Sequence, residues 1–223
     1  MNVIHAVWTD DDDLDLIAEA GAVVAHNPVS NLRLGSGVMP FRRMADRGIP
    51  IALGVDEAIC DDSVNVWGVV KAAGLVHNIA GLDADQWPGA GEVLGCLWEG
   101  GAAALLQSDR LGRIEVGYQA DLAVLDLHAR AFTPFNDLRG QLVYCENGTS
   151  VRMTVVAGRI VFDEDRIALV DEEALLAEAR ELFAATKPRL LAAAGAADAV
   201  YPAYDRMVRR ATRTEIGMNR WIG

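Results

Sequence analysis

Basic residues are scarce in this chain: 20 Lys and Arg stand against 32 Asp and Glu, a formal net charge of -12. A protein that neutralises phosphates by releasing counterions needs the opposite sign, so nucleic acid is excluded as a bulk ligand. Cysteine is scarce as well. Cys60, Cys96 and Cys145 are odd in number and widely spaced, so they make neither a disulfide framework nor a Cys-x-x-Cys metal knuckle. They read as small core or loop residues. No apolar run approaches the roughly 18 to 20 residues of a membrane span. The opening Met1-Asn2-Val3-Ile4-His5 has neither a basic region nor a cleavage-type apolar stretch. The expectation is a cytoplasmic protein with no membrane partner. Internal repeats and low-complexity linkers are also absent.

What is present is apolar. Over 223 residues the hydrophobic share is 52% against 23% charged, enough to offset conformational entropy, so the chain folds or is part of something that folds. The first eighty residues alternate short β-branched runs with helical patterns, the signature of βαβ units on a parallel sheet. Val3-Ile4 is a short strand end. Thr9 precedes Asp10 to Asp13 as an N-cap, with carboxylates at the positive end of the helix dipole, and Gly21 ends that helix. Ala22 to Ala25 is a buried strand, Asn27 to Pro40 a loop, Phe41 to Arg47 a second helix, Ile49 to Gly54 a third strand and Ser63 to Ile79 another helix.

Polar residues fall at the ends of these strands. His5, His26 and Asp56 each follow an apolar run directly or within two residues. In a parallel α/β barrel the carboxyl ends of the strands hold the chemistry, because the loops there vary while the packed interior does not. Three strands cannot close such a barrel, which needs eight.

From Gly89 to Leu106 the pattern is helical. After Arg110 it turns to short strands: Leu111 to Gly117, Ala120 to Asp126, Gln141 to Tyr144, Val151 to Val156 and Ile160 to Phe162. Asp171 to Ala194 reads as an amphipathic helix with Leu175, Leu176, Ala179, Leu182 and Phe183 on one side. Tyr204, Met207 and Val208 keep helical spacing in the tail. Three segments follow: an α/β part over 1–108, a small β-sheet unit over 109–167 and a helical tail over 168–223.

A histidine after a strand is commonly a satisfied structural residue, so His5 alone proves little. Asp56, directly after Leu53-Gly54-Val55, is more informative, because a carboxylate there is desolvated unless a cation, a metal or donors compensate. His77 and His128 read as structural. Asn27-Pro28-Val29-Ser30-Asn31 is either turn chemistry or a site loop. Asp61-Asp62-Ser63 is an N-cap candidate, and Asn147-Gly148-Thr149 a hairpin turn.

Taken in order, five pieces resemble the metal-dependent amidohydrolase superfamily, in its branch of cytosine, guanine and S-adenosylhomocysteine deaminases and triazine hydrolases. They are His5-Ala6-Val7-Trp8, Val24 to Leu34, Ala52 to Asp56, Asp61 to Asn65 and Leu111 to Leu122. The match runs from residue 1 to about 167.

The resemblance implies an α/β fold: the C-terminal part, strands six to eight, of a TIM-type (β/α)8 barrel, with part of a small β-sandwich and a helical tail. It implies that His5 follows the sixth strand and helps move the proton of the attacking water. Asp56 follows the eighth strand as a metal ligand and proton acceptor. Asn27, Ser30 and Asn31 belong to the pocket loop after the seventh strand, and Trp8, Glu57 and Cys60 are further pocket contacts. The implied cofactor is one divalent metal, zinc or else iron, and the implied substrate a small aminated N-heterocycle.

The family's His-x-His pair after the first strand and its histidine after the fifth have no counterpart among the four histidines. The chain is therefore expected to be the C-terminal part of a hydrolase, inactive alone. Its N-terminal half would lie on another chain or be missing, and the chain would be soluble as an oligomer or complex. The alternative is a non-catalytic interaction or ligand-binding remnant of such an enzyme.

Overall fold

A computed structural model describes residues 1–80 and 83–221. The chain forms two compact units. The first is Met1–Ile160 together with Asn219–Trp221, and the second is Val161–Met218.

The first unit is built on a parallel sheet of three short strands, β1 (Asn2–Ile4), β2 (Val23–His26) and β3 (Ile51–Leu53), in that spatial order. The register pairs Ile4 with Ala25 and His26 with Leu53. Strands that run parallel in this register bring their carboxyl ends to one edge, so the polar residues after each apolar run become neighbours.

Helix α1 (Asp11–Glu19) follows β1. Its cap is Asp10, one residue beyond the expected Thr9. The Asp10 carboxylate accepts from the Asp13 N–H while the Asp13 side chain accepts from the Asp10 N–H, a reciprocal capping box. Thr9 instead donates its hydroxyl to the Ala6 carbonyl. The segment expected as a loop after β2 contains a helix, α2 (Pro28–Arg33). Pro28 sits at its first turn, where a missing N–H costs nothing, so turn-type residues here start a helix. Helix α3 (Phe41–Ala45) follows as expected.

After β3 come a one-turn helix, α4 (Ala58–Asp61), and then α5 (Val66–Val76). The cap of α5 is Asn65, whose side chain accepts from the Trp67 N–H, rather than the Asp61-Asp62-Ser63 run. Helix α6 (Ala90–Gly95) passes through a π-helical turn at Cys96–Gly100 into α7 (Gly101–Ala104). That turn presses on β3: a Cβ on Gly100 would lie 1.9 Å from the Ile51 carbonyl oxygen. Burial pushes the Cys96 thiol up to about 12, an inert core residue.

Two buried clusters share this sheet. Leu14, Val24, Met39, Phe41, Met44, Ile49 and Ile51 form one. Val70, Ala73, Val93, Leu94, Phe132, Leu142 and Val143 form the other, and Leu53 packs against both.

Two expected strands take other forms. Leu111 to Gly117 is bends and turns, and Gln141 to Tyr144 lies in a helix, α8 (Leu138–Tyr144). The Asp137 carboxylate caps α8 through the Arg139 and Gly140 N–H groups, and tertiary packing of Leu142 and Val143 overrides their strand propensity. Asn147-Gly148-Thr149 links α8 to β5 rather than closing a hairpin, and the buried Glu146 carboxylate, bonded to Ser150, ties that turn down. Strand β4 (Leu122–Leu125) pairs antiparallel with β5 (Val151–Val156).

In the second unit the end of β6 (Arg159–Asp163) pairs antiparallel with β7 (Arg166–Ile167). Helices α9 (Glu172–Asp198) and α10 (Tyr201–Thr212) follow. The expected amphipathic helix exists and runs four residues beyond Ala194, but none of its residues is buried. No helix of the described residues is long and apolar enough to cross a membrane.

Candidate active site

The carboxyl edge of the parallel sheet gathers His5, Ser30, Asn31 and Asp56. His5 continues from β1, with its N–H donating to the Ala25 carbonyl, and Gly54 continues from β3, with its N–H donating to the His26 carbonyl. Hydrogen bonding therefore carries the sheet one residue further, to the point where the chain turns away. It turns sharply: φ is +67° at His5, +46° at Ala6 and +63° at Asp56. Non-glycine residues in this region cost about 1 to 3 kcal/mol each and concentrate where strain serves a site.

The side chains close a short network. His5 Nε2 lies 3.4 Å from Asp56 Oδ2. Ser30 Oγ donates to the same Asp56 oxygen at 2.7 Å. His5 Nδ1 lies 2.8 Å from Asn31 Oδ1. Ser30 and Asn31 are buried, whereas the His5 side chain is 36% exposed and that of Asp56 21%, so the reactive groups face outward from a buried support. The Ser30 hydroxyl, followed by the Glu57 N–H and the His5 ring, holds the Asp56 carboxyl below its usual range against the opposing effect of partial burial. Asp56 is thus an ionised acceptor at neutral pH.

The remaining expected contacts lie around this network. Asn27 is buried against Gly54, where a Cβ would meet its Oδ1 at 2.3 Å; only glycine lets the amide in. Glu57 is exposed just before α4, and Cys60 is half-buried within it. Trp8 donates its indole N–H to the Ser36 carbonyl and meets the Trp221 ring edge-on at a centroid distance of 4.4 Å. Trp221 in turn donates to the Gly35 carbonyl, and the Arg220 guanidinium donates to the Val7 and Thr9 carbonyls. This C-terminal strap over the loops after β1 and β2 had no signal in the sequence, because its partners lie more than 180 residues away.

His26 and His77, read as a strand-end polar residue and a structural one, form a buried pair behind the site, with Nε2 atoms 3.1 Å apart. Burial comes first among the causes that push both pKa values down, that of His26 far below its usual value and that of His77 to about 4. Two neutral imidazoles in contact with each other, with His77 also against the Phe41 ring, are a packing element.

A catalytic zinc takes three protein ligands and one open position. Among the described residues no three His, Cys, Asp or Glu side chains gather to hold a metal. One carboxylate and one imidazole fall short of that set, so the residues present do not form a metal centre by themselves.

Comparison with known proteins gives the family of the chain. Residues 2–161 match the amidohydrolase family. The chain is 39% identical over 180 residues to a 5-methylthioadenosine/S-adenosylhomocysteine deaminase of Nitratidesulfovibrio vulgaris, covering 81% of this chain and 40% of that protein. A zinc-bound adenosine deaminase from Xanthomonas campestris superposes with a TM-score of 0.78 at 30% identity, over 81% of this chain and 41% of that one. The zinc complex of atrazine chlorohydrolase from Arthrobacter aurescens gives 0.76 at 28% identity, over 81% and 40%. The chain thus spans about 40% of the length of the relatives it matches. Its parallel sheet and helices are the α/β architecture of their barrel-type fold, and the chain belongs to the amidohydrolase family.

Proposed function

We propose that this chain supplies strands six to eight of a barrel that hydrolytically deaminates a small aminated N-heterocycle, with the remaining strands outside this chain. The observation that carries the reading is the His5–Asp56 pair, 3.4 Å apart and anchored by Asn31 and Ser30 at the carboxyl edge of a parallel sheet. Attack by water and departure of ammonia both require a proton to move near neutral pH. Asp56, kept ionised by Ser30, accepts and holds it, and His5, half-exposed beside it, relays it. A divalent ion, zinc or else iron, would supply a water acidified toward neutrality, with Asp56 as this chain's ligand to it and the other ligands outside this chain. Asn27, Ser30, Asn31, Glu57, Cys60 and Trp8 shape the pocket wall. Purine nucleosides and aminotriazines are the substrates to try first, since the relatives are named for both classes.

The chain alone is expected to bind zinc weakly and to release no ammonia. A submicromolar zinc site by titration calorimetry would overturn that. In the complete enzyme, Asp56→Asn should lower turnover by about 100-fold or more with the melting transition retained, because the change is nearly isosteric. Near wild-type ammonia release from a panel of adenosine-type nucleosides, guanine, cytosine and aminotriazines would defeat the assignment. The second reading, a remnant that binds a partner or ligand without chemistry, is favoured by the lack of a three-donor cluster among the described residues. A complete assembly that releases no ammonia from any of these compounds would select it.

A further inference from the structure

His5 has two ring nitrogens, and only the one that faces Asp56 is of use in moving a proton. Which nitrogen carries hydrogen in the neutral ring is decided by the partner of the other. That partner is Asn31, a residue of α2 with 3% exposure, whose Oδ1 lies 2.8 Å from His5 Nδ1. An amide oxygen can only accept, so Nδ1 carries the hydrogen. The neutral ring then presents a bare lone pair at Nε2.

The distance on the other side agrees. An Nε2–H aimed at a carboxylate would close to about 2.7 to 2.9 Å, whereas Nε2 stands 3.4 Å from Asp56 Oδ2, which is already taken by Ser30 Oγ at 2.7 Å.

We propose that Asn31 is a positioning residue that holds His5 in the Nδ1–H tautomer, so that Nε2 faces the edge of Asp56 as the proton-accepting atom. Asn31 acts through His5. When Asp56 passes on the proton taken from the attacking water, its O–H bond breaks as the Nε2–H bond forms, Nδ1–H remains with Asn31, and the positive charge gained by the ring faces the restored Asp56 carboxylate. The inference rests on the reading of His5 as the proton-moving group, yet its central statement concerns the ring itself.

The tautomer is readable without turnover. Long-range proton–nitrogen correlation spectra of the full chain labelled at histidine distinguish a protonated Nδ1 from a protonated Nε2. His5 is assigned by its loss in His5→Gln. The wild-type ring should show the Nδ1–H pattern, and Asn31→Leu, which keeps the volume and removes the acceptor, should convert it to the Nε2–H form that free imidazole side chains favour. A wild-type Nε2–H pattern, or an Nδ1–H pattern that survives in Asn31→Leu, overturns the proposal. The wild-type spectrum decides even if the variant does not fold. In the complete enzyme Asn31→Leu should lower kcat about 10- to 100-fold with KM less affected; an unchanged kcat counts against the proposal. Absence of deaminase activity with an intact Nδ1–H signature would reject the proposed reaction and leave the tautomer assignment standing.

Discussion

Helices α5 and α9 both carry apolar residues at helical spacing, and they end in opposite environments. The eleven residues of α5 include buried Val69, Val70, Ala73, Gly74 and Val76, which meet α8 and the second core cluster. The twenty-seven residues of α9 include none, and Leu175, Leu176, Leu182 and Phe183 are each about half exposed or more. Periodicity states which face of a helix is apolar; it does not state that a surface exists to cover it. The first unit has such a surface, because a parallel sheet with helices packed on it encloses side chains. The second offers its helices no enclosed core.

The sharpest way to break this comparison is to remove a methyl-rich side chain from each region. Leu14, fully buried in the first cluster, should cost about 3 kcal/mol as Leu14→Ala, through lost transfer energy and a residual cavity, seen as a lower midpoint in urea.

Next in size is the effect of acid on the His26–His77 pair. The folded pKa of His77 lies at about 4, below the unfolded value of 6.5, with burial the main cause and Arg42 second; that of His26 is lowered in the same direction, with His77 and His5 adding to burial. The unfolded chain therefore binds more protons below pH 6.5, so stability is complete above that value and is lost as pH falls from 6.5 toward 4. The loss for His77 alone is on the order of 3 kcal/mol. Denaturant midpoints measured between those limits should fall steadily, and a flat profile would show that the pair is not held neutral by burial.

The smallest expected effect lies in the tail. Leu182→Ala, at a position 64% exposed, should change stability by no more than about 0.5 kcal/mol. A cost near that of Leu14→Ala would mean that α9 has a covered face in solution, and the contrast between the two units would fail.

Much of the candidate site was legible because parallel strands announce their ends. Apolar runs that stop at Ile4, Ala25 and Leu53 leave His5, His26 and Asp56 at the strand ends, and the parallel register brings His5 and Asp56 together while His26 turns to a buried contact with His77 behind the site. Less legible was the form of the connecting segments. Pro28, Ser30 and Asn31 look like turn residues yet sit in α2, which is what turns Ser30 toward Asp56 and Asn31 toward His5. The β-branched and aromatic run ending at Tyr144 looks like a strand, but Asp137 caps it as α8 and Phe132 and Val93 belong to the cluster it packs into. Asp137 two and three residues before its bonded N–H groups was the signal that could have found that helix. The Trp221–Trp8 contact had none.

By itself the sequence determined the parallel strands, the chemical types at their ends, the acidic balance and the apolar stripe of the tail helix, since each depends on residue type and local spacing. Tertiary structure alone decided which ring nitrogen of His5 meets Asn31 and which carboxylate oxygen meets Ser30. It also decided that His26 and His77 share a buried contact, and that the stripe of α9 stays uncovered. Those outcomes depend on distances of a few ångströms between residues 26 to 51 positions apart or more, which only the packed chain sets.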